Sequence, residues 1–196
     1  MRSLKSIAVF CGSSEGNDLK IIDDARALGK QFAQDSITLV YGGAKIGIMG
    51  EVASGVLEAK GTVIGVIPEF LKQKEVVHHG LSELITVETM HQRKLKIQDL
   101  SEGFIALPGG FGTLEELFEI ITWGQLGLHQ KPIGILNTNG FYNELLQFME
   151  HMVRKGFLKM ENYELLVVDA SIAGLLQKMK DYMPKQVPKW LKSDRT

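Results

Sequence analysis

The stretch "GFIALPGGFGTLEELFE" (Gly103–Glu119) joins an apolar run to a helical pattern through a short, glycine-rich turn. The apolar run lacks the alternation of a half-exposed strand, and continuously apolar strands are typical of parallel sheets that are buried on both faces. The pattern that follows predicts a helix from Thr113 to Leu126, which would return the chain to the next parallel strand. This segment therefore predicts one strand–turn–helix unit.

The same unit recurs along the whole chain. Seven short apolar runs alternate with helical patterns: "SIAVF", "SITLVY", "TVIGVI", "LITVE", "GFIAL", "PIGIL" and "LLVV". Only the third run is followed by an irregular stretch in place of a clear helix. The pattern predicts an α/β fold, a doubly wound Rossmann-like sheet of about seven mostly parallel strands with helices on both faces; a mixed α+β domain is the alternative. We expect a single nucleotide-binding domain over residues 1–183 and a tail at 184–196.

Composition favours a small ligand over a polymer. The 196 residues carry a formal net charge of -1, which offers no basic surface for a nucleic acid or an anionic membrane. Cys11 is the only cysteine, so no internal disulfide or thiolate zinc site is expected, and a cytoplasmic setting is the simplest. The histidines lack metal-ligand spacing, and no segment reaches the roughly 18 apolar residues that a membrane span needs.

The fold class predicts where a ligand would bind. In open parallel sheets, ligands lie beyond the carboxyl ends of the strands, where the strand order reverses. The segments that follow the predicted strands include "CGSS" (Cys11–Ser14), "MHQRK" (Met90–Lys94) and "PGGFGT" (Pro108–Thr113). In the commonest strand orders the loops after the first and fourth strands flank this crevice. We therefore expect "CGSS" and "MHQRK" to meet there, with "PGGFGT" beside them.

Several common site types do not fit these segments. A dinucleotide site needs G-x-G-x-x-G after the first strand and an acidic residue after the second, but the sequence has "CGSSEG" and "YGG". A P-loop needs a lysine where "GGAKIG" is followed by Ile48. Ser13 and Ser14 lack the G-x-S-x-G context of a nucleophile. The glycine-rich turn "YGGAKIGIMG" (Tyr41–Gly50) fits either close packing or a surface for a ligand, and no cofactor is predicted.

The turn "PGGFGT" is the strongest candidate for an anion site. Glycines at a helix start expose backbone N–H groups, and the helix dipole favours negative charge there. Yet Glu115, Glu116 and Glu119 follow at once, and each would repel a nearby phosphate by about 1 kcal/mol or more unless cations intervene. Arg93 and Lys94 could supply those cations. An alternative stays open, in which Thr113 and Glu116 form only a T-x-x-E capping box.

Two motifs resemble those of a known family. "PGGFGTLEE" and "MHQRK" match the P-G-G-x-G-T-x-x-E and M-H-x-R-K motifs of the Lonely Guy (LOG) family, with "CGSS" and "GGAKIGIMG" in the same order. The resemblance runs from about Ser6 to Leu176. It implies a Rossmann-like homodimer that hydrolyses cytokinin riboside 5′-monophosphates to free base and ribose 5-phosphate. The motifs alone do not show that cytokinins are the substrate, and AMP is equally compatible with them.

The resemblance also implies roles for individual residues. Arg93 and Glu116 match the catalytic pair, with Glu116 placed to stabilise an oxocarbenium-like sugar. The full set of predicted substrate contacts is Ser13, Gly43, Glu75, Met90, Lys94, Gly109, Gly110, Phe111, Gly112, Thr113, Glu115 and Thr122. A nucleotide or pterin carrier that binds without turnover is the alternative function. No metal is predicted.

Overall fold

The computed structural model describes residues 3–72 and 77–184, which form one seven-stranded sheet. The strands are β1 (Ser6–Phe10), β2 (Thr38–Tyr41), β3 (Val63–Pro68), β4 (Glu83–Val87), β5 (Gly103–Ala106), β6 (Ile133–Leu136) and β7 (Leu166–Asp169). Their order across the sheet is β4-β3-β2-β1-β5-β6-β7, and every neighbouring pair is parallel. The predicted doubly wound parallel sheet is confirmed.

Helices cover both faces of this sheet. They are α1 (Leu19–Gln34), α2 (Gly47–Glu58), α3 (Glu69–Lys72), α4 (Met90–Leu100), α5 (Phe111–Gln125), α6 (Asn143–Arg154), α7 (Met160–Tyr163) and α8 (Ile172–Asp181), with a 3-10 turn at Thr138–Gly140. The irregular stretch after the third strand contains only the short α3, and the sequence pattern did not predict α7. Among the described residues, no helix is both long and apolar enough to cross a membrane.

Alternating strand residues divide the core into two layers. In β1, Ile7 and Val9 pack with α1, α2 and α8, whereas Ala8 and Phe10 pack with α4, α5 and α6. Successive side chains of a strand point to opposite faces, so an apolar strand at the centre of the sheet serves both layers. The edge strand β4 differs, because Leu84 remains 37% exposed. The central strands are therefore buried on both faces, whereas the edge strand is partly exposed.

The strand order corrects the expected position of the crevice. The chain adds β2, β3 and β4 on one side of β1 and then crosses to β5 on the other side. The loops after β1 and β5 therefore flank the crevice, and the prediction that the first- and fourth-strand loops flank it is wrong. Strand patterns do not reveal how many strands are added before the chain crosses over. Helix α4 nevertheless packs across β3, β2 and β1, which brings "MHQRK" back toward the crevice.

Candidate active site

A cavity of about 270 Å³ lies at the carboxyl ends of β1 and β5. Its lining residues come from the loop after β1, from α2 and α4, and from the start of α5: Cys11, Gly12, Ser13, Met49, Met90, Arg93, Gly110, Phe111, Gly112, Thr113, Glu115 and Glu116. Both predicted catalytic residues and most predicted substrate contacts are in this set. The structure therefore brings the two sequence motifs together around one space.

The start of α5 is open toward this cavity. Gly110 is the N-cap residue and provides no side-chain cap, and the first intrahelical hydrogen bond runs from Leu114 N to Gly110 O at 3.1 Å. The N–H groups of Phe111, Gly112 and Thr113 precede that bond, so they have no partner within the helix. A Cβ atom added at Gly110 or Gly112 would meet no atom within 4 Å. This helix start can accept an anion without steric obstruction.

The alternative of a capping box between Thr113 and Glu116 is wrong. Thr113 is the third residue of α5 and is 3% exposed, and no side chain caps the helix. The T-x-x-E pattern is not a helix start here, because Gly110 is the N-cap of α5 and Thr113 already lies within the helix. A capping box is present instead at α4, where Gln92 N donates to Thr89 Oγ1 at 3.1 Å and Thr89 N donates to Gln92 Oε1 at 3.3 Å. Glu116 is therefore not used as a cap.

Glu116 extends from α5 into the cavity. Its carboxyl group is partly buried and has no hydrogen bond or ion pair with any residue in the described ranges 3–72 and 77–184. Loss of solvent raises the pKa of this carboxyl to about 7 from an ordinary value of 4.5, while the charge of Arg93 acts in the opposite direction. Near neutral pH the group is therefore divided between its two protonation states.

Arg93 also lines the cavity, from α4, and is only 8% exposed. Its Nε is buried with no hydrogen-bond partner among the described residues. Within that part of the chain, its Nη1 donates to Met90 Sδ, at 3.9 Å. A buried guanidinium has five N–H donors, and leaving them without partners is unfavourable. Its charge is thus available to an anionic group within the cavity.

Lys94 forms ion pairs with the two other acidic groups of this region. Its Nζ donates to Glu115 Oε1 at 2.7 Å and to Glu119 Oε1 at 2.9 Å, which ties α4 to α5. Burial lowers the pKa of Lys94, but these hydrogen bonds outweigh it and the net shift is upward. Of the three carboxylates near the helix start, only Glu116 is left without an ion pair in the described part of the chain. This arrangement reduces the repulsion that the sequence suggested.

Of the predicted substrate contacts that lie in the described residues, four do not line the cavity: Gly43, Lys94, Gly109 and Thr122. Gly43 adopts a left-handed backbone (φ +84°) and its carbonyl accepts a hydrogen bond from His78 N at 3.1 Å. Gly109 packs so closely that an added Cβ would lie 2.1 Å from Thr113 Oγ1. Thr122 is exposed farther along α5, where its hydroxyl donates to Phe118 O at 2.7 Å. Glu75 lies outside the described residues.

Sequence reasoning did not select Cys11, Gly12 or Met49, which also line the cavity. Cys11 and Gly12 immediately follow β1, and Met49 N donates to Gly12 O at 3.2 Å. Burial, reinforced by the nearby Glu116, raises the pKa of the Cys11 thiol, which keeps it neutral and unsuited to act as a nucleophile. The signal that could have found these residues is their position at the strand ends, once β1 and β5 are known to be neighbours.

A larger cavity of about 450 Å³ lies beside the first and shares Gly12, Ser13 and Gly110 with it. Its charged lining residues are Glu15 and Asp18, both acidic, which disfavours a phosphate there. The smaller cavity contains Arg93 and the open helix start, so it is the better candidate for the reaction. Within residues 3–72 and 77–184 no group of three or more His, Cys, Asp or Glu side chains could hold a metal ion.

Solved structures share this fold. The molybdenum cofactor carrier protein of Chlamydomonas reinhardtii is 23% identical with a TM-score of 0.68, and the alignment covers 90% of this chain and 96% of that one. The molybdenum cofactor binding protein of Rippkaea orientalis is 22% identical with a TM-score of 0.68, over 90% and 95% of the two chains. At these identities the likeness concerns the fold alone.

Sequence comparisons identify the family. The family model described as "Possible lysine decarboxylase" matches residues 49–179. A cytokinin riboside 5′-monophosphate phosphoribohydrolase of Arabidopsis thaliana is 46% identical over 92% of this chain and 85% of its own length. The enzyme of that name from Rhodococcoides fascians is 46% identical over 88% and 87%. The chain belongs to the Lonely Guy family of cytokinin riboside 5′-monophosphate phosphoribohydrolases.

Proposed function

We propose that this protein hydrolyses the N-glycosidic bond of purine riboside 5′-monophosphates, with AMP or an N6-modified AMP as substrate. The products are the free base and ribose 5-phosphate. Family membership and relatives that carry this activity in their names, at up to 46% identity over most of the chain, support the reaction class. No step of the reaction needs a redox cofactor.

One observation carries the assignment to this cavity. Glu116 and Arg93, two oppositely charged and largely desolvated groups, lie around the same space without a direct ion pair among the described residues. Buried charges are normally paired, and perturbed ionisable groups in a cleft are typical of functional sites. A ligand that carries both an anionic group and a developing positive charge would satisfy both residues.

The 5′-phosphate binds at the open start of α5 in this proposal. The N–H groups of Phe111, Gly112 and Thr113 have no intrahelical partner, and the helix dipole adds a favourable field. Because Lys94 holds Glu115 and Glu119 in ion pairs, their charges oppose the phosphate less than free carboxylates would. The phosphate fixes one end of the substrate and so positions its sugar.

The ribose then lies near Glu116. With a rise of about 1.5 Å per residue, Glu116 is about 4.5 Å farther along the helix axis than Thr113, a distance suited to the step from a phosphate to a sugar ring. As the C1′–N9 bond breaks, its electrons move to the base and positive charge develops on the sugar. An ionised Glu116 stabilises that charge and orients the water whose oxygen bonds to C1′. The proton that this water loses balances the one that the departing base takes up.

Arg93 completes the arrangement from the α4 side. Its guanidinium lowers the pKa of Glu116, which increases the ionised fraction of that carboxyl at neutral pH. Its unpaired N–H groups can also donate to the substrate, whose base acquires negative charge before it takes up a proton. Arg93 is therefore proposed to position the substrate and balance charge in the transition state.

Product analysis tests this function. The purified protein is incubated separately with AMP and with N6-isopentenyl-AMP, and the free base and ribose 5-phosphate are quantified by chromatography. We expect both products in equal amounts from at least one nucleotide. Tight binding of a nucleotide without either product would contradict hydrolysis and favour the carrier function.

We also propose that the protein is a cytoplasmic homodimer. The exposed apolar side chains of Leu95 on α4 and of Phe111 and Phe118 on α5 (51%, 93% and 36% exposed) support a second copy of the chain as their partner. The single, buried Cys11 supports a reducing compartment. Light scattering should give twice the mass of one chain, and Phe118→Glu should shift the mass toward that of a monomer. A monomeric wild-type protein would contradict the dimer.

A further inference from the structure

We propose that Gly42 is a positioning residue for Arg93, because its missing side chain provides the space that the guanidinium occupies. Gly42 follows β2 at the ligand edge of the sheet and is buried. A Cβ atom added to it would lie 2.1 Å from Arg93 Nη2 and 3.3 Å from Arg93 Cζ. Carbon and nitrogen atoms that are not bonded cannot approach so closely, so the Arg93 guanidinium can keep this position only while residue 42 is glycine.

The backbone gives no other reason for this glycine. Gly43, the next residue, has φ +84° and needs glycine for its own conformation. Gly42 is not in the left-handed region, so alanine could adopt its backbone angles. The two adjacent glycines therefore have different roles, one in the turn and the other in making room for a side chain from α4.

The residues around Gly42 determine where the Arg93 guanidinium would move if a Cβ were added. A Cβ at Gly42 would also approach Met49 Sδ, at 3.3 Å, so the space near Gly42 is already filled on a second side. The start of α4 is fixed by the Thr89–Gln92 capping box. Arg93 would thus move into the cavity, toward the space assigned to the substrate.

The expected effect separates catalysis from folding. Arg93 meets the new methyl group with the end of a flexible side chain, so stability should change little. A displacement of about 1 Å in a substrate-positioning group can lower activity by about 10²-fold. The kinetic part of this inference rests on the proposed function.

A double-mutant cycle tests the role of Gly42. It compares wild type, Gly42→Ala, Arg93→Ala and the double variant, with Gly80→Ala as a control because an added Cβ there would meet no atom closer than 3.4 Å. We expect Gly42→Ala to lower kcat/KM about 10²-fold in the wild-type background and less than threefold in the Arg93→Ala background, with a thermal midpoint near that of wild type. An equal loss in both backgrounds, or full activity of Gly42→Ala, would overturn the proposal.

A chemical probe tests the position of the Arg93 guanidinium without any reliance on activity. Phenylglyoxal reacts with accessible guanidinium groups, and peptide mass spectrometry reports the extent of modification at Arg93. We expect Arg93 to react several-fold faster in Gly42→Ala than in wild type or Gly80→Ala, since the wild-type side chain is only 8% exposed. An unchanged rate would refute the proposal that Gly42 positions Arg93. This test holds even if the wild-type protein cleaves no nucleotide and the proposed function itself fails.

Discussion

Helices α4 and α5 both begin beside the same cavity, but side chains close the start of α4 and leave the start of α5 open. At α4, Thr89 and Gln92 satisfy each other's backbone N–H groups. At α5, Gly110 offers no side chain, and the N–H groups of the first turn remain free of intrahelical partners. In the proposed function, the first helix start is structural and the second binds the ligand.

The acidic residues of α5 show the same contrast within one helix. Lys94 pairs with Glu115 and Glu119, and only Glu116 enters the cavity without an ion pair in the described residues. Pairing makes the first two part of the α4–α5 contact. Burial gives Glu116 a raised pKa, although the charge of Arg93 opposes it, and a perturbed pKa is typical of a group that takes part in chemistry.

The largest expected effect comes from removing the charge of the unpaired carboxyl. Glu116→Gln keeps nearly the same shape but cannot stabilise a sugar cation, so we expect kcat to fall by about 10³-fold or more while AMP still binds. Steady-state kinetics and calorimetry measure the two quantities. The matched control is Glu119→Gln, which removes a carboxyl that is paired with Lys94 and does not line the cavity. A loss in the control as large as that in Glu116→Gln would contradict the distinction.

The stability of the same variant provides an independent check. The pKa of Glu116 is raised to about 7 in the folded protein, so folding favours its protonated form, and the ionised form destabilises the protein as pH rises from about 4.5 through 7. Glu116→Gln should therefore be more stable than wild type at pH 8, by roughly 1–3 kcal/mol, and should lose this advantage below pH 4.5. Denaturant unfolding at both pH values measures the difference in stability. Lower stability of the variant at pH 8 would contradict a buried Glu116 with a raised pKa.

A second, smaller effect should follow when the open helix start is closed. An Asp at position 110 would cap α5 and place a negative charge where the phosphate binds, and the space above Gly110 is free. We expect Gly110→Asp to weaken AMP binding by about 10²-fold while it stabilises the protein by a few tenths of a kcal/mol. Gly110→Asn provides the same cap without the charge, so its loss of affinity should be smaller. Unchanged AMP affinity in Gly110→Asp, measured by calorimetry, would show that the phosphate binds elsewhere.

The pH dependence of activity sharpens the contrast between the carboxylates. Because the ionised form of Glu116 is the active one in this account, kcat/KM should fall about tenfold for each pH unit below about 7. The residual activity of Glu116→Gln should lack this limb of the profile. A wild-type profile that is flat from pH 5 to 8 would contradict an essential carboxylate with a raised pKa.

The smallest effect is expected when the closed helix start is opened. Thr89→Ala removes one half of the α4 capping box and should destabilise the protein by about 1 kcal/mol, with less than a fivefold change in kcat/KM. Thermal unfolding and kinetics on the same preparation measure both values. A large loss of activity with unchanged stability would mean that this helix start also acts on the substrate.

Much of the fold follows from local patterns in the sequence. Strands that are apolar on both faces, with helices between them, predict a parallel sheet, and the more exposed β4 lies at an edge of that sheet. The strand order was not predictable, because it depends on when the chain crosses β1, and no local pattern records that step. The two motifs predict most of the residues that line the cavity. The alternative of a capping box at Thr113 and Glu116 is wrong, and it was open only because T-x-x-E fits both a helix start and a helix interior. The role of Gly42 in positioning Arg93 depends on a contact between α4 and the end of β2, which only the folded chain reveals.

The ratio of kcat/KM for AMP to that for adenosine tests the central claim most directly. If the open start of α5 holds the 5′-phosphate and thereby places the ribose at Glu116, adenosine should be cleaved at least about 10²-fold less efficiently than AMP. Equal cleavage of the two compounds would show that the phosphate does not position the substrate, and would contradict the role assigned to this helix start.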